Sequence, residues 1–246
     1  MTLKKIKISV IVPIYNEEET IVSVLKKINE QNIQDIEMEI IVINDGSKDN
    51  SLKILKENSN LYSKLIDLKT NKGKGGAVKE GLKTANGEYI LFQDADLEYD
   101  PSEYSKLFRP ILELNADIVM GSRLLSPPLT RVHYFWNKIG NRCITLLFDI
   151  LHNSTLTDIY SGYLVYRRNL LNPENLKTEG WEQQAEILSK IITNTAKIYE
   201  VPITYYGRTY EEGKKIKPKD VLKIMSTIVR ERIIPSRNLW KIKLFF

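Results

Sequence analysis

Two aspartates at i and i+2, Asp94 and Asp96, stand just beyond an apolar run at Tyr89–Phe92. Carboxylates at this spacing on a strand end can be aimed together by a slight turn. They then suit a hard divalent cation that also binds phosphate oxygens, as Mg²⁺ or Mn²⁺ does. A solvated turn uses the same pattern. The run Asn71-Lys72-Gly73-Lys74-Gly75-Gly76 could bring backbone N–H groups to a phosphate at a helix N-terminus. It is not a Walker A loop, because G-x-x-x-x-G-K-[ST] is absent. It is not G-x-G-x-x-G, because Val78 takes the third glycine's place. P-loop NTPase and NAD-dehydrogenase chemistries are therefore disfavoured. Asp45-Gly46-Ser47 and Pro13 close two further apolar runs, where a turn, a cap or a strand terminator would look the same.

These groups need a frame. The first ~120 residues alternate strand and helix patterns. Ile8–Tyr15 is β-branched and apolar, and Glu17–Asn29 predicts a helix with Ile21, Val24, Leu25 and Ile28 on one stripe and Asn16 as N-cap. Strands are expected at Glu39–Ile43, Leu65–Leu68, Tyr89–Phe92 and Asp117–Met120. Helices are expected at Asp49–Glu57, at Ala77–Thr84 and after Asp100-Pro101-Ser102-Glu103, the last burying Tyr104, Leu107, Phe108, Ile111 and Leu112. This alternation implies a mostly parallel α/β sheet flanked by helices, Rossmann-like, with ligands beyond the carboxyl ends of its strands. Tyr15–Glu17, Asp45–Ser47, Asp94–Asp96 and Ser122–Arg123 all fall at such ends.

Beyond Pro127-Pro128 the pattern changes. Tyr134–Leu151 predicts a long amphipathic helix, with Lys138, Asn141, Arg142, Thr145 and Asp149 on one face and Trp136, Ile139, Cys143, Leu147 and Ile150 on the other. A strand at Tyr163–Tyr166, a helix at Trp181–Thr193, a strand at Ile198–Ile203, a charged loop at Tyr206–Lys219 and a helix at Asp220–Arg232 follow.

The 246 residues are 42% hydrophobic and 27% charged, which excludes disordered, collagenous and disulfide-scaffold classes. The single cysteine, Cys143, excludes an intrachain disulfide and a cysteine-based metal site, and suggests a reducing, cytosolic setting. The balance of 36 Lys+Arg against 31 Asp+Glu gives +5, compatible with an acidic partner, a nucleic acid or an anionic membrane. No run reaches ~18 apolar residues, and the first apolar run is too short for a leader, so neither a membrane span nor a signal peptide is expected. His133 and His152 have no second ligand at metal spacing and read as surface or packing residues.

Four motifs, V-P-I-Y-N-E-E at 12–18, N-D-G-S at 44–47, N-K-G-K-G-G-A at 71–77 and D-A-D at 94–96, together resemble the family 2 glycosyltransferases of GT-A fold. G-S-R at 121–123, D-I-Y-S-G-Y at 158–163 and V-P-I-T-Y-Y-G-R-T-Y-E-E-G-K-K at 201–215 extend the likeness to the dolichol- and polyprenyl-phosphate mannose and glucose synthases. The resemblance covers residues 7–235. It implies one domain over 1–235, with a nucleotide-sugar half at 7–122, an acceptor half with the amphipathic helix at 123–235, and a basic, aromatic tail at 236–246. Pro13, Tyr15, Glu17 and Asp45 match the nucleoside-holding positions. Lys74 and Gly75 fall where the diphosphate or base edge is approached. Asp94 and Asp96 match the metal-binding pair, with Ala95 between them on the donor side. Glu98 stands where relatives often carry Gln and is a candidate third ligand.

The implied reaction is inverting transfer of a hexose from GDP-mannose or UDP-glucose to a dolichyl or undecaprenyl phosphate. A cation on Asp94 and Asp96 would stabilise the leaving nucleoside diphosphate. A lipid monophosphate, with a second pKa of about 6, is largely ionised at neutral pH and needs cations rather than a base. By the resemblance Arg123 and either Lys138 or Arg131 would grip it, with Arg208, Lys214 and Lys215 on the late loop. Asp158 and Ser161 match a D-x-x-S-G-[FY] motif near the acceptor. The implied catalytic set is Asp94, Asp96, Arg123 and Asp158. The alternative acceptor is a saccharide hydroxyl in glycan or cell-surface polysaccharide synthesis, which needs a general base. Asp158, Glu182 and Glu186 are the candidates, although the two glutamates read more simply as an exposed helix face. A non-catalytic sugar-nucleotide-binding subunit is disfavoured by the intact aspartate pair.

Phe135, Trp136 and Leu147 on the amphipathic helix, and Trp240, Lys241, Lys243, Phe245 and Phe246 in the tail, suit a bilayer interface. They equally suit packing on the core and on a dimer mate. The expectation is a peripheral protein on the cytosolic membrane face, with a homodimer or a membrane-protein partner left open. No motif points to nucleic acid.

Overall fold

The computed structural model describes residues 5–126, 135–207 and 218–233. Arg131, His133, Arg208, Lys214, Lys215 and the tail 236–246 lie outside the described residues.

Seven strands form one sheet: β1 (Ile6–Ile14), β2 (Ile36–Asp45), β3 (Lys64–Leu68), β4 (Tyr89–Phe92), β5 (Ile118–Ser122), β6 (Leu164–Arg167) and β7 (Ile198–Pro202). Their order is β3-β2-β1-β4-β6-β5-β7. All neighbours are parallel except at β6, which runs antiparallel to β4 and β5. The expected mostly parallel sheet is thus present, with one strand inserted against its direction. Central β1 is buried on both faces. Val10 and Val12 join one apolar cluster while Ile11 joins the other, the period-two signature of a strand covered on both sides.

The helices are α1 (Ile21–Asn29), α2 (Ser51–Glu57), α3 (Gly73–Thr84), α4 (Tyr104–Leu114), α5 (Phe135–His152), α6 (Gln183–Ile191) and α7 (Pro218–Ile233). On one face of the sheet, α1 supplies Ile21, Val24, Leu25 and Ile28, and α4 supplies Tyr104, Leu107, Phe108 and Ile111. On the other, α3, α5, α6 and α7 supply Val78, Leu82, Ile144, Phe148, Leu188, Ile191, Ile224 and Ile228. Each such side chain contributes about 1.5–3 kcal/mol when fully withdrawn from water.

Several local expectations are corrected. Helix α1 begins at Ile21, not Glu17, and Asn16 is not its cap. Asn16 sits at φ 55° and its Oδ1 accepts the Lys48 N–H at 2.8 Å, tying the end of β1 to the Asp45–Ser47 turn. The glycine-rich run is no loop: Gly73 already opens α3. Leu112 is 40% exposed. Helix α5 buries Ile144, Thr145 and Phe148, so the division of its faces differs from the one expected. Thr145 turns inward, where its Oγ1 accepts the Ile159 N–H at 3.4 Å, while Trp136, Cys143 and Ile150 are exposed. The cause lies in the partners of α5: it packs on α7, whose position no local pattern encodes. Helix α7 begins at Pro218, ahead of the expected Asp220.

Candidate active site

One cleft of about 370 Å³ opens where β1, β2, β4 and β5 end. Pro13, Tyr15 and Glu17 line it from the end of β1 and Asp45 from the end of β2. Lys74, Ala77 and Val78 come from α3, and Asp94, Ala95, Asp96, Glu98 and Tyr99 from the loop after β4. Arg123 enters from the end of β5. Residues as far apart in sequence as Pro13 and Arg123 are therefore brought to one wall, as the topology of a parallel sheet requires.

The loop bearing the aspartates is set from behind by Gln93, which is fully buried. Its Nε2 donates to the carbonyls of Asp94 (2.9 Å) and Tyr99 (3.1 Å), and its Oε1 accepts from the hydroxyls of Tyr104 (2.7 Å) and Tyr163 (2.9 Å). Thr20 Oγ1 adds a 2.6 Å bond to the Ala95 carbonyl. Beyond the loop, Gly162 passes so close that a Cβ there would lie 3.0 Å from Asp94 Oδ2 and 2.7 Å from the Tyr99 ring; only glycine fits. Asp94 Oδ1 accepts from Lys74 Nζ at 2.5 Å, and the same ammonium lies 5.2 Å from the centroid of the Trp181 ring. Asp96 Oδ1 accepts the Glu98 N–H at 3.2 Å, and Glu98 Oε2 accepts from the Tyr205 hydroxyl at 2.9 Å.

The three carboxylates Asp94, Asp96 and Glu98 on this wall are hard oxygen donors. Among the described residues, however, no three or more His, Cys, Asp or Glu side chains converge closely enough to hold a metal ion by themselves. The two aspartates alone fit a divalent ion that completes its shell with substrate phosphate oxygens and water, the habit of Mg²⁺.

Arg123 is the most constrained cation of the cleft. Its Nε donates to Asp158 Oδ2 at 2.7 Å and its Nη2 to Asp158 Oδ1 at 2.9 Å and to the Tyr160 carbonyl at 3.0 Å. Its own backbone N–H also reaches Asp158 Oδ2, at 3.1 Å. The guanidinium lies 5.1 Å from the Tyr205 ring centroid, and Nη1 has no partner among the described residues. Burial works against the charge, but the Asp158 carboxylate together with Tyr99 and Tyr205 outweighs it and holds Arg123 well above the ordinary guanidinium range. Asp45 is 2% exposed; its Oδ1 accepts the Lys72 N–H at 2.7 Å, and burial pushes its carboxyl up.

Other expected site residues are placed elsewhere. Gly75 lies beneath the cleft: its N–H donates to the Glu179 carbonyl at 2.8 Å, as does that of Gly76 at 3.2 Å, and its carbonyl accepts from Gln183. With the Lys72 and Gly73 N–H groups bound to Asp45 and Asn71, the start of α3 is no phosphate cradle. The glycines instead admit the 177–181 segment, since a Cβ on Gly75 would lie 2.6 Å from Glu179 C. Asp158 and Ser161 are fully buried and do not line the cleft. Ser161 Oγ accepts the Tyr163 N–H at 3.4 Å, and Asp158 serves Arg123. Lys138 sits exposed on α5, off the cleft. Glu186 is not on an exposed face: it is fully buried and accepts from Lys177 N–H, Thr178 N–H and Thr178 Oγ1.

Sequence reasoning passed over Phe92, Tyr99, Tyr160, Gly162, Trp181, Gln183, Gln184 and Tyr205, all of which line the cleft. In the 158–163 motif the signal was there but offset by one. The segment turns at Ile159–Tyr160 and bends at Gly162 before β6 begins, so that Tyr160 and Gly162 line the cleft while Ile159, Ser161 and Tyr163 are buried. Trp181 carried no local signal; the Tyr160 hydroxyl fixes its carbonyl at 2.9 Å.

A Rossmann-like sheet with a carboxylate-lined cleft at its strand ends is the GT-A architecture of glycosyltransferases. Residues 9–173 match the family described as Glycosyl transferase family 2, and the chain belongs to that family. A UDP-N-acetylglucosamine–dolichyl-phosphate N-acetylglucosaminyltransferase of Methanococcus voltae is 32% identical over 80% of this chain and 84% of its own length. A dolichyl-phosphate β-glucosyltransferase of Dictyostelium discoideum is 31% identical over 98% of this chain and 78% of its own. A dolichol-phosphate mannosyltransferase of Pyrococcus furiosus is 30% identical over 91% of this chain, which spans 63% of that enzyme. Among solved structures, glucosyl-3-phosphoglycerate synthase of Mycobacterium tuberculosis, in complex with Mn²⁺, UDP and phosphoglyceric acid, shares the fold at TM-score 0.69 and 21% identity. The match covers 94% of this chain and 80% of that one.

Proposed function

We propose that this glycosyltransferase moves a hexose from a nucleoside-diphosphate sugar, GDP-mannose or UDP-glucose, to a polyprenyl phosphate, with inversion at the anomeric carbon. The observation that carries the reading is Arg123, a guanidinium lining the cleft, locked on one edge by Asp158 and open at Nη1. That geometry suits a phosphate oxygen. The dolichyl-phosphate acceptors in the relatives' names support the same choice.

In this reading Pro13, Tyr15, Glu17 and Asp45 hold the nucleoside, and Lys74 meets the diphosphate. Asp94 and Asp96 would hold Mg²⁺ or Mn²⁺, which when bound would supply charge neutralisation at the departing diphosphate. Arg123 holds the lipid phosphate opposite the leaving group, so that one phosphate oxygen faces the anomeric carbon. The new carbon–oxygen bond forms as the bond to the diphosphate oxygen breaks. No proton moves, because the attacking oxygen is already ionised. Asp158 positions Arg123, and Arg208 and Lys214, which follow the cleft residue Tyr205 in the chain, complete the proposed cation set.

A hydroxyl acceptor is less well supported because it needs a base. Asp158 is neutralised by Arg123, Glu186 is held by Lys177 and Thr178, and Glu182 does not line the cleft. Among the described residues no helix is long and apolar enough to cross a membrane. A lipid acceptor still requires access to one, and the exposed Phe135, Trp136, Leu146 and Ile150 of α5, with Lys138 and Arg142, suit a peripheral position at an anionic, cytosolic membrane face.

The test is a panel of nucleotide sugars offered with a short polyprenyl phosphate and Mn²⁺ or Mg²⁺. One donor is expected to give a lipid-linked hexose, lost on chelation and in Asp96→Asn. Failure of every donor to glycosylate the lipid would overturn the reading.

A further inference from the structure

We infer that Lys74 is an internal counter-cation of Asp94, and that by leaving Asp94 for the donor's diphosphate it couples donor binding to cation binding. The inference rests on the donor and cation sites proposed above. It adds a residue that makes each ligand depend on the other.

The starting point is a shared carboxylate. Asp94 Oδ1 accepts from Lys74 Nζ at 2.5 Å, and the two side chains are 29% and 19% exposed, so the pair is partly shielded from water. An oxygen in contact with an ammonium offers a divalent ion a site next to a like charge, which disfavours the ion. Asp94 cannot turn away easily, because Gly162 passes against Oδ2 and Gln93 holds the Asp94 carbonyl. Nor can the backbone of Lys74 shift. The next residue, Gly75, is fixed at its N–H by Glu179 and at its carbonyl by Gln183. What can move is the four-carbon stem of Lys74, and Trp181 gives its ammonium an aromatic face along the cleft wall.

A nucleoside diphosphate in this cleft presents Lys74 with a second, more highly charged anion. Moving the ammonium to it frees Asp94 for the cation. Donor and cation therefore each remove an obstacle to the other, and linkage makes the effect reciprocal. Coupling of this kind is ordinarily five- to 150-fold.

The experiment measures Mn²⁺ binding by the loss of its free electron-spin-resonance signal, for the wild type, Lys74→Met and Lys74→Arg, alone and with UDP or GDP. Circular dichroism checks that each is folded. Lys74→Met is expected to bind Mn²⁺ alone at least fivefold more tightly than the wild type and to bind the diphosphates more weakly. Lys74→Arg, which keeps the charge, should stay near the wild type for Mn²⁺ alone. A lysine that only contacts diphosphate would leave Mn²⁺ binding alone unchanged in Lys74→Met. That result, with diphosphate binding weakened, overturns this inference and leaves the donor site standing. No binding of Mn²⁺, UDP or GDP by any of the three proteins overturns both.

Discussion

At the scale of single residues, the chemistry of the cleft turns on Asp94, Asp96 and Arg123, which line it, and on Asp158, which stands behind Arg123. Asp94, Asp96 and Arg123 were legible because each ends a buried run, and a strand end fixes where the chain emerges. Asp158 was legible as important and misread in kind: its carboxylate is fully buried and both oxygens serve Arg123. Arg123→Met should therefore do two things. It should lower kcat/KM for the lipid acceptor by about 10²-fold or more, as loss of a charged contact in a shielded site does. It should also leave Asp158 as an uncompensated buried carboxylate and destabilise the fold by about 3–5 kcal/mol, read from the midpoint of urea unfolding. Asp158→Asn should lower activity too, while Ser161→Ala, which changes a buried hydroxyl off the cleft, should leave acceptor KM within about twofold. Steady-state kinetics on the three variants separates contact from support.

At the scale of elements, strands and helix stripes followed from periodicity, whereas the start of α3 and the faces of α5 did not. Helix α3 begins four residues early because its first-turn N–H groups are satisfied by a distant segment, Glu179, and by Asp45 and Asn71. Gly75→Ala tests that contact. With 2.6 Å between the new Cβ and Glu179 C, the 177–181 segment must move, and donor KM should rise several-fold as Trp181 and Lys74 shift. The packing of α5 on α7 carries its own pH dependence. His152 stacks on Phe148 with ring centroids 4.2 Å apart, and its Nε2 is buried without a partner among the described residues. Burial, with Arg232 nearby, pushes its pKa down to about 4. The unfolded chain takes up a proton near pH 6.5 that the folded chain refuses until about pH 4, so stability falls as pH drops through that window. Melting temperatures across pH 7 to 4 should decline less in His152→Phe than in the wild type; parallel declines would contradict the assignment.

At the scale of the whole molecule, the fold class followed from strand–helix alternation, while the antiparallel insertion of β6 between β4 and β5 had no signature in a short apolar run. That insertion matters, because the segment entering β6 carries Tyr160 and Gly162 to the cleft. The net charge of +5 acquires two anionic candidates, a nucleoside diphosphate and a lipid phosphate. Flotation with vesicles containing anionic lipid should recover the wild type and lose most of Trp136→Glu, since Trp136 is 76% exposed on α5. The central claim, that a phosphate rather than a hydroxyl attacks the sugar, is tested most directly by two acceptors with the same chain. The enzyme, with its preferred donor and Mn²⁺, is offered a polyprenyl phosphate and the corresponding polyprenol in one reaction, and the products are separated. The account predicts hexose on the phosphate alone; transfer to the alcohol at a comparable rate would contradict it.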